Sequence, residues 1–161
     1  MSMRIGHGYD AHPLVKERSL ILGGVKIPFD KGLDGHSDAD VVIHALCDAL
    51  LGATGLGDIG NHFPNTDPLL KDIDSRLLLR QIADLIRKHK FLISNADITI
   101  LAEKPKLAEH IPAMKKNLTD DLNCQISLLN IKATTTEGMG FIGRGEGISA
   151  HAVVLLIPDS S

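Results

Sequence analysis

The segment Arg4-Ile-Gly-His-Gly-Tyr-Asp-Ala-His12 limits the fold more than any other, because glycine stands at two alternate positions, 6 and 8. Glycine inside a helix costs roughly 0.5–1 kcal/mol relative to alanine, so the segment is expected to be a strand. A glycine within a strand marks a place where another backbone or a ligand comes close. The same period of two sets Asp10 and His12, at i and i+2, on one face.

The chain around this strand is ordinary in bulk. Its 161 residues are 43% hydrophobic and 23% charged, which excludes disordered, collagen-like and coiled-coil classes and predicts one domain over 1–161, with Met1-Ser2 an added or alternative start. A net charge of −3 gives no overall attraction to nucleic acid or to anionic membrane. Cys47 and Cys124 lie far apart without C-x-x-C spacing, and reduced, buried thiols are expected. No apolar run reaches the roughly 18–20 residues of a membrane span, nor does the N-terminus carry a secretory signal, so a soluble, cytoplasmic protein is expected. Two counts stand out: aromatics are only 3%, whereas there are 8 histidines.

Along the chain, Leu20-Ile-Leu-Gly-Gly-Val-Lys-Ile27 predicts a hairpin turning at Gly23-Gly24. Ser37-Asp-Ala-Asp40 reads as a helix start capped by Ser37. Val42, Ala45, Leu46, Ala49, Leu50 and Ala53 follow at helical spacing as far as Gly55. A second helix is predicted over about 75–90, and a third after Ile111-Pro112 with Met114, Leu118 and Leu122 in register. Strand-forming runs occupy 96–102, 127–134 and 148–157. The stretch from Gly55 to Asp74 reads as a long loop, of the kind that often carries function. The pattern predicts an α/β fold, specifically an α+β two-layer sandwich with helices on one face of a mixed β-sheet.

Asp10 and His12 make half of a metal site, and His44, mid-helix with Asp40 and Asp48 four residues to either side, can add a third ligand oriented by a carboxylate neighbour. Three ligands with one open position are how a catalytic zinc differs from a closed structural one. The ordinary reading of the same residues is a surface Asp–His hydrogen bond and a half-buried helix histidine. Ordinary roles are also expected for His7, His62, His89 and His151.

Three segments have the chemistry to hold phosphate. Gly35-His-Ser-Asp38 closes onto a helix N-terminus, where free N–H groups favour an anion, although a simple cap explains it too. Lys104-Pro-Lys106 holds two charges on a stiffened turn, and is otherwise a solvated basic turn. The run from Thr134 to Gly147 combines three threonines, five glycines, Glu137 and Arg144; it is neither a Walker loop nor a dinucleotide fingerprint. A strand followed by a glycine-rich turn accounts for it equally well.

Six motifs in order carry a resemblance: Arg-Ile-Gly-His-Gly-Tyr-Asp-Ala-His (4–12), Gly-His-Ser-Asp-Ala-Asp (35–40), Leu-Gly-Asp-Ile-Gly (56–60), Phe-Pro-Asn-Thr-Asp (63–67), Ala-Thr-Thr-Thr-Glu (133–137) and Gly-Arg-Gly-Glu-Gly (143–147). Together they resemble the 2-C-methyl-D-erythritol 2,4-cyclodiphosphate synthases of the non-mevalonate isoprenoid pathway, from residue 4 to about 157. The resemblance implies a homotrimer with active sites between adjacent subunits, and zinc on Asp10, His12 and His44. It implies substrate contacts from Asp10, His12, His36, Ser37, Asp58, Ile59, Gly60, Phe63, Pro64, Asn65, Thr66 and Asp67 around the methylerythritol phosphate. The cytidine pocket would comprise Ala102, Glu103, Lys104, Pro105, Lys106, Leu107 and Ala108 with Thr134, Thr135, Thr136 and Glu137, completed by Phe141 and Arg144. Asn65 departs from the family, which is expected to carry Asp there more often.

The implied reaction turns 4-diphosphocytidyl-2-C-methyl-D-erythritol 2-phosphate into the 2,4-cyclodiphosphate and CMP. His36 and Thr135 would stabilise the transition state, and Glu137 with the phosphates would hold a second divalent ion, Mg²⁺ or Mn²⁺. An isoprenoid diphosphate in an axial cavity is a further implied partner. Lys104, Lys106, Lys132 and Arg144 would supply local positive charge despite the net −3. Two other readings of the same ligands are weaker. A zinc-dependent phosphohydrolase needs a general base that no other carboxylate or histidine clearly offers, and a non-catalytic zinc-stabilised trimer needs a fourth ligand.

Overall fold

The computed structural model describes residues 2–161; Met1 lies outside them. The chain runs β1 (Arg4–Lys16), β2 (Leu20–Leu22), β3 (Val25–Ile27), β4 (Lys31–Leu33), α1 (Val41–Thr54), α2 (Ile59–His62), α3 (Ser75–Lys88), β5 (Phe91–Leu101), α4 (Ile111–Leu122), β6 (Leu129–Thr134), α5 (Gly140–Gly143) and β7 (Gly147–Pro158). Five strands form one sheet in the order β4-β1-β7-β5-β6, and β2 with β3 form a separate hairpin. β1 and β5 both run antiparallel to β7, while β5 and β6 run parallel, so the sheet is mixed as predicted.

The alternating glycines of β1 are there for a helix. A Cβ on Gly6 would stand 1.9 Å from the Ala49 carbonyl oxygen, and one on Gly8 1.8 Å from that of Ala45. Only glycine on the strand and alanine on α1 let the two backbones touch. This close approach buries α1 on almost every side, from Val42, Leu46 and Leu50 to Ile43, Cys47 and Leu51. Below it lie Ile98, Ile100, Ile148, Ala150, Ala152 and Val154 of the sheet. Helix α3 packs on α1, and α4 packs on α3 and β6. Asp121 of α4 joins the two outer helices by accepting from Arg76 Nε (2.7 Å) and Nη2 (3.0 Å) and from Arg80 Nη1 (2.8 Å). Among the described residues no helix lies over the opposite sheet face: Ile5 is 74% exposed and Tyr9 46%.

The structure corrects several boundaries. Asp40, not Ser37, caps α1: its carboxylate accepts from Val42 N and Ile43 N and also from Gly23 N and Gly24 N of the hairpin turn. One buried side chain thus fixes a helix end and a turn. Burial, helped by the charge of Asp38, pushes its pKa up to about 6. Helix α3 stops at Lys88, short of residue 90, with His89 as its cap. The stretch 55–74 is not structureless, since it holds α2 and a 3₁₀ turn over Pro68–Leu70. The strand expected from 127 starts at Leu129, behind another 3₁₀ turn. Cys47 is buried as expected, whereas Cys124 is only half-buried; both are free thiols. No helix is long and apolar enough to cross a membrane among the described residues.

Candidate metal centre and substrate site

Parity along β1 sets the site. Gly6, Gly8, Asp10 and His12 all point toward α1, so once the glycines have let the helix in, the carboxylate and imidazole come to face His44 of that helix. Asp10 Oδ2 lies 3.1 Å from His12 Nε2 and 2.9 Å from His44 Nδ1, and one donor atom from each residue falls within 4.8 Å of the others.

The outer hydrogen bonds decide which nitrogens are free. His12 Nδ1 donates to the Asp34 carbonyl at 2.8 Å, so Nε2, which donates to Asp10 in the metal-free chain, is the nitrogen left for a metal once that proton goes. His44 Nε2 donates to Ser75 Oγ at 2.9 Å, and Ser75 Oγ in turn donates to Asp38 Oδ1. Ser37 Oγ stands 3.2 Å from the same nitrogen. Hence Nδ1 of His44, 2.9 Å from Asp10, is the nitrogen that a metal would take in place of its hydrogen bond to that carboxylate. Ligating histidines are held in this way, with the second nitrogen donating to an outer acceptor. The donor set of one carboxylate and two correctly tautomerised imidazoles fits a divalent metal and leaves room for a further ligand.

Charge follows the same geometry. Burial alone would raise the Asp10 pKa, but hydrogen bonds from His12 and His44 bring it down to about 2. The hydrogen bond to Asp10 raises that of His12. The orienting group expected for His44 is corrected here: Asp40 is spent on capping and Asp48 accepts from Ile59 N at 2.8 Å, so Ser75 and Asp38 take that role. Ser75 escapes sequence reading because only the fold brings it, 31 positions away, to His44.

The centre opens into a cavity of about 200 Å³ lined by His36, Ser37, Ile59, Gly60, Phe63 and Asn65, all expected site residues, together with Asp48, Leu70, Ile73 and Leu78, which were not. His36 Nε2 donates to the Asp67 carbonyl at 3.0 Å. Asp58 and Asp67 each spend a carboxylate oxygen capping a short helical turn, while Pro64 and Thr66 are exposed.

The second expected set gathers at the same end of the sheet, beyond Leu101 and Thr134. Glu103, Lys104 and Arg144 line a different depression, of about 550 Å³, with Leu14, Phe29 and Lys31. Glu103 Oε1 accepts from Thr136 N (2.8 Å), Thr136 Oγ1 and Gly138 N, which ties the threonine run to the loop holding Lys104, Pro105 and Lys106. Thr135 Oγ1 accepts from Glu137 N at 3.3 Å, and Thr134, Thr135, Glu137, Ala108 and Phe141 are exposed. Ala102 and Leu107 are core residues, so their side chains are not free for a ligand. Of the four expected cations, Lys132 is paired with Asp97 and Arg144 with Glu146.

A profile of the YgbB family matches residues 3–157. The chain is 59% identical over 156 residues to the 2-C-methyl-D-erythritol 2,4-cyclodiphosphate synthase of Trichlorobacter lovleyi, covering 97% of this chain and 99% of that one. It is 60% identical over 154 residues to the Clostridium botulinum protein of the same name, covering 96% and 99%. Among solved structures, the bifunctional IspDF from Campylobacter jejuni superposes with a TM-score of 0.94 at 42% identity, over 99% of this chain and 44% of that one. A Plasmodium falciparum IspF in complex with CDP superposes at 0.87 with 37% identity, over 99% and 98%. Both the near-full-length matches and the metal-ligand geometry converge: the chain belongs to the YgbB family, the 2-C-methyl-D-erythritol 2,4-cyclodiphosphate synthases.

Proposed function

We propose that this chain cyclises 4-diphosphocytidyl-2-C-methyl-D-erythritol 2-phosphate to the 2,4-cyclodiphosphate with release of CMP. The observation that carries it is the Asp10/His12/His44 cluster, whose inward-facing nitrogens are set by outer hydrogen bonds beside a polar cavity. An oxygen of the 2-phosphate forms the new bond to the β-phosphorus as the bond to the CMP oxygen breaks, and the electron pair leaves on CMP. The nucleophile is already an anion, so the demand is on positioning and charge neutralisation rather than on a base.

Asp10, His12 and His44 would hold zinc, which when bound supplies a Lewis acid and a template for a phosphate oxygen. His36, steadied by the Asp67 carbonyl, stabilises a phosphoryl oxygen and Thr135 donates a hydrogen bond to one, while charge moves toward CMP. Ser37, Asp58, Ile59, Gly60 and the 63–67 run enclose the methylerythritol phosphate; Asn65 replaces a charge with an amide and keeps its hydrogen bonds. Glu103 through Ala108, with Thr134 to Glu137, Phe141 and Arg144, receive the cytidine diphosphate end, and Glu137 with the phosphates holds Mg²⁺ or Mn²⁺. The core positions Ala102 and Leu107 contribute backbone only.

The two halves line different depressions of one chain, and the uncovered sheet face carries Ile5, Tyr9 and Val153. Both facts support a homotrimer whose sites lie between chains; an isoprenoid diphosphate around its axis and a cytoplasmic location rest on the resemblance to the synthases. Phosphorus NMR of metal-loaded protein with the cytidyl substrate tests the function: equimolar CMP and a cyclic diphosphate are expected, and linear phosphates or unchanged substrate would refute it. His44→Ala is expected to lose the zinc of this centre and turnover yet remain folded.

A further inference from the structure

Two histidines that the cyclisation does not use meet on the other side of the sheet. His7 of β1 and His151 of β7 approach with Nε2 and Nδ1 3.0 Å apart. The strand register places Tyr9 directly opposite His151 and Val153 opposite His7, so the pair is diagonal across neighbouring antiparallel strands. The Tyr9 ring packs against the His151 ring, with centroids 4.8 Å apart and the planes tilted by 49°. From the other flank, Thr99 of β5 stands opposite His151.

We propose that His7 and His151 form a second metal site, a cross-strand imidazole clamp for a divalent transition ion of the zinc class. Two imidazole nitrogens on one ion at about 2.1 Å each stand about 3.0–3.4 Å apart for angles between a right angle and the tetrahedral one. The observed separation lies at the near end of that span. In the metal-free pair one nitrogen donates and the other accepts, so an ion enters as the shared proton moves to the other nitrogen of the donor ring, and both imidazoles are then neutral ligands. Imidazole pairs suit zinc, nickel and copper ions and are poor hosts for magnesium or calcium, which take oxygen.

This site is independent of the Asp10/His12/His44 centre. Residues 7, 9 and 151 share the parity that points away from α1, whereas residues 10 and 12 point toward it, so the sheet itself separates the two. The remaining positions on the ion are open to water, or to the same pair of another chain packed on this face. Bound there, the ion ties the N-terminal end of β1 to the middle of β7.

Equilibrium dialysis of the whole protein against Zn²⁺, without substrate, tests the site. The wild type is expected to bind more than one ion per chain, and His7→Gln and His151→Gln are each expected to fall to one while cyclisation is kept. Circular dichroism checks that both variants are folded. Equal binding by the wild type and either variant would overturn the proposal. Because the readout is the difference between proteins that both retain the first centre, failure here leaves the cyclisation reading untouched.

Discussion

The metal centre rests on hydrogen atoms placed by residues that never touch the metal. Ser75 accepts the hydrogen bond of His44 Nε2 and donates its own to Asp38, which leaves Nδ1 as the nitrogen for a metal. Ser75→Ala is therefore expected to lower zinc affinity by about 10–100-fold in competitive chelator titrations, with the fold retained. The pH dependence follows from the shifts at the ligands. Asp10, at about 2, stays ionised throughout the neutral range. His12 is raised above its ordinary 6.5 by its hydrogen bond to Asp10. In the metal-free chain the stability that this proton contributes is full below 6.5 and lost as pH rises through the raised value. Zinc must displace that proton, so chelator titrations should show affinity falling as pH drops through the same range. At this scale the sequence was legible where local periodicity acts: Asp10 and His12 share a strand face, and His44 lies on a helix. Ser75, Asp38 and the pairing of Lys132 and Arg144 with carboxylates were not, because tertiary contacts alone create them.

Among the elements, the contact of β1 with α1 matters most, because it builds the core and the site together. Gly8→Ala would drive a Cβ to 1.8 Å from the Ala45 carbonyl, a backbone atom with nowhere to retreat. Overpacking of this kind is expected to cost about 3 kcal/mol or more in urea denaturation, and to spoil zinc binding by pushing His44 from Asp10. A variant as stable as the wild type would show that the helix does not rest on the strand. The glycine alternation announced a close approach in the sequence, though not its partner; the apolar stripe of α1 and the hairpin glycines were equally plain. The helix start was misread because Ser37 and Asp40 are both good caps. What selects Asp40 is the hairpin turn, whose two free N–H groups need both its oxygens, Gly23 N on Oδ1 and Gly24 N on Oδ2.

Across the whole molecule, one sheet face is covered by helices and the other offers Ile5, Tyr9 and Val153. Small aromatic content fits a chain that completes its burial against copies of itself. Val153→Glu puts a charge at the middle of that face and, on the proposed homotrimer, is expected to give chains of one-third the assembled mass in sedimentation, with turnover lost and zinc binding kept. An unchanged mass would place the contact elsewhere. The central claim concerns bond formation within one substrate molecule, and water labelled with oxygen-18 tests it most directly. Run to completion in that solvent, the reaction is predicted to give CMP and a cyclic diphosphate that both lack the label. Label in either phosphorus product would mean that water, not the 2-phosphate, attacks, and would contradict the account.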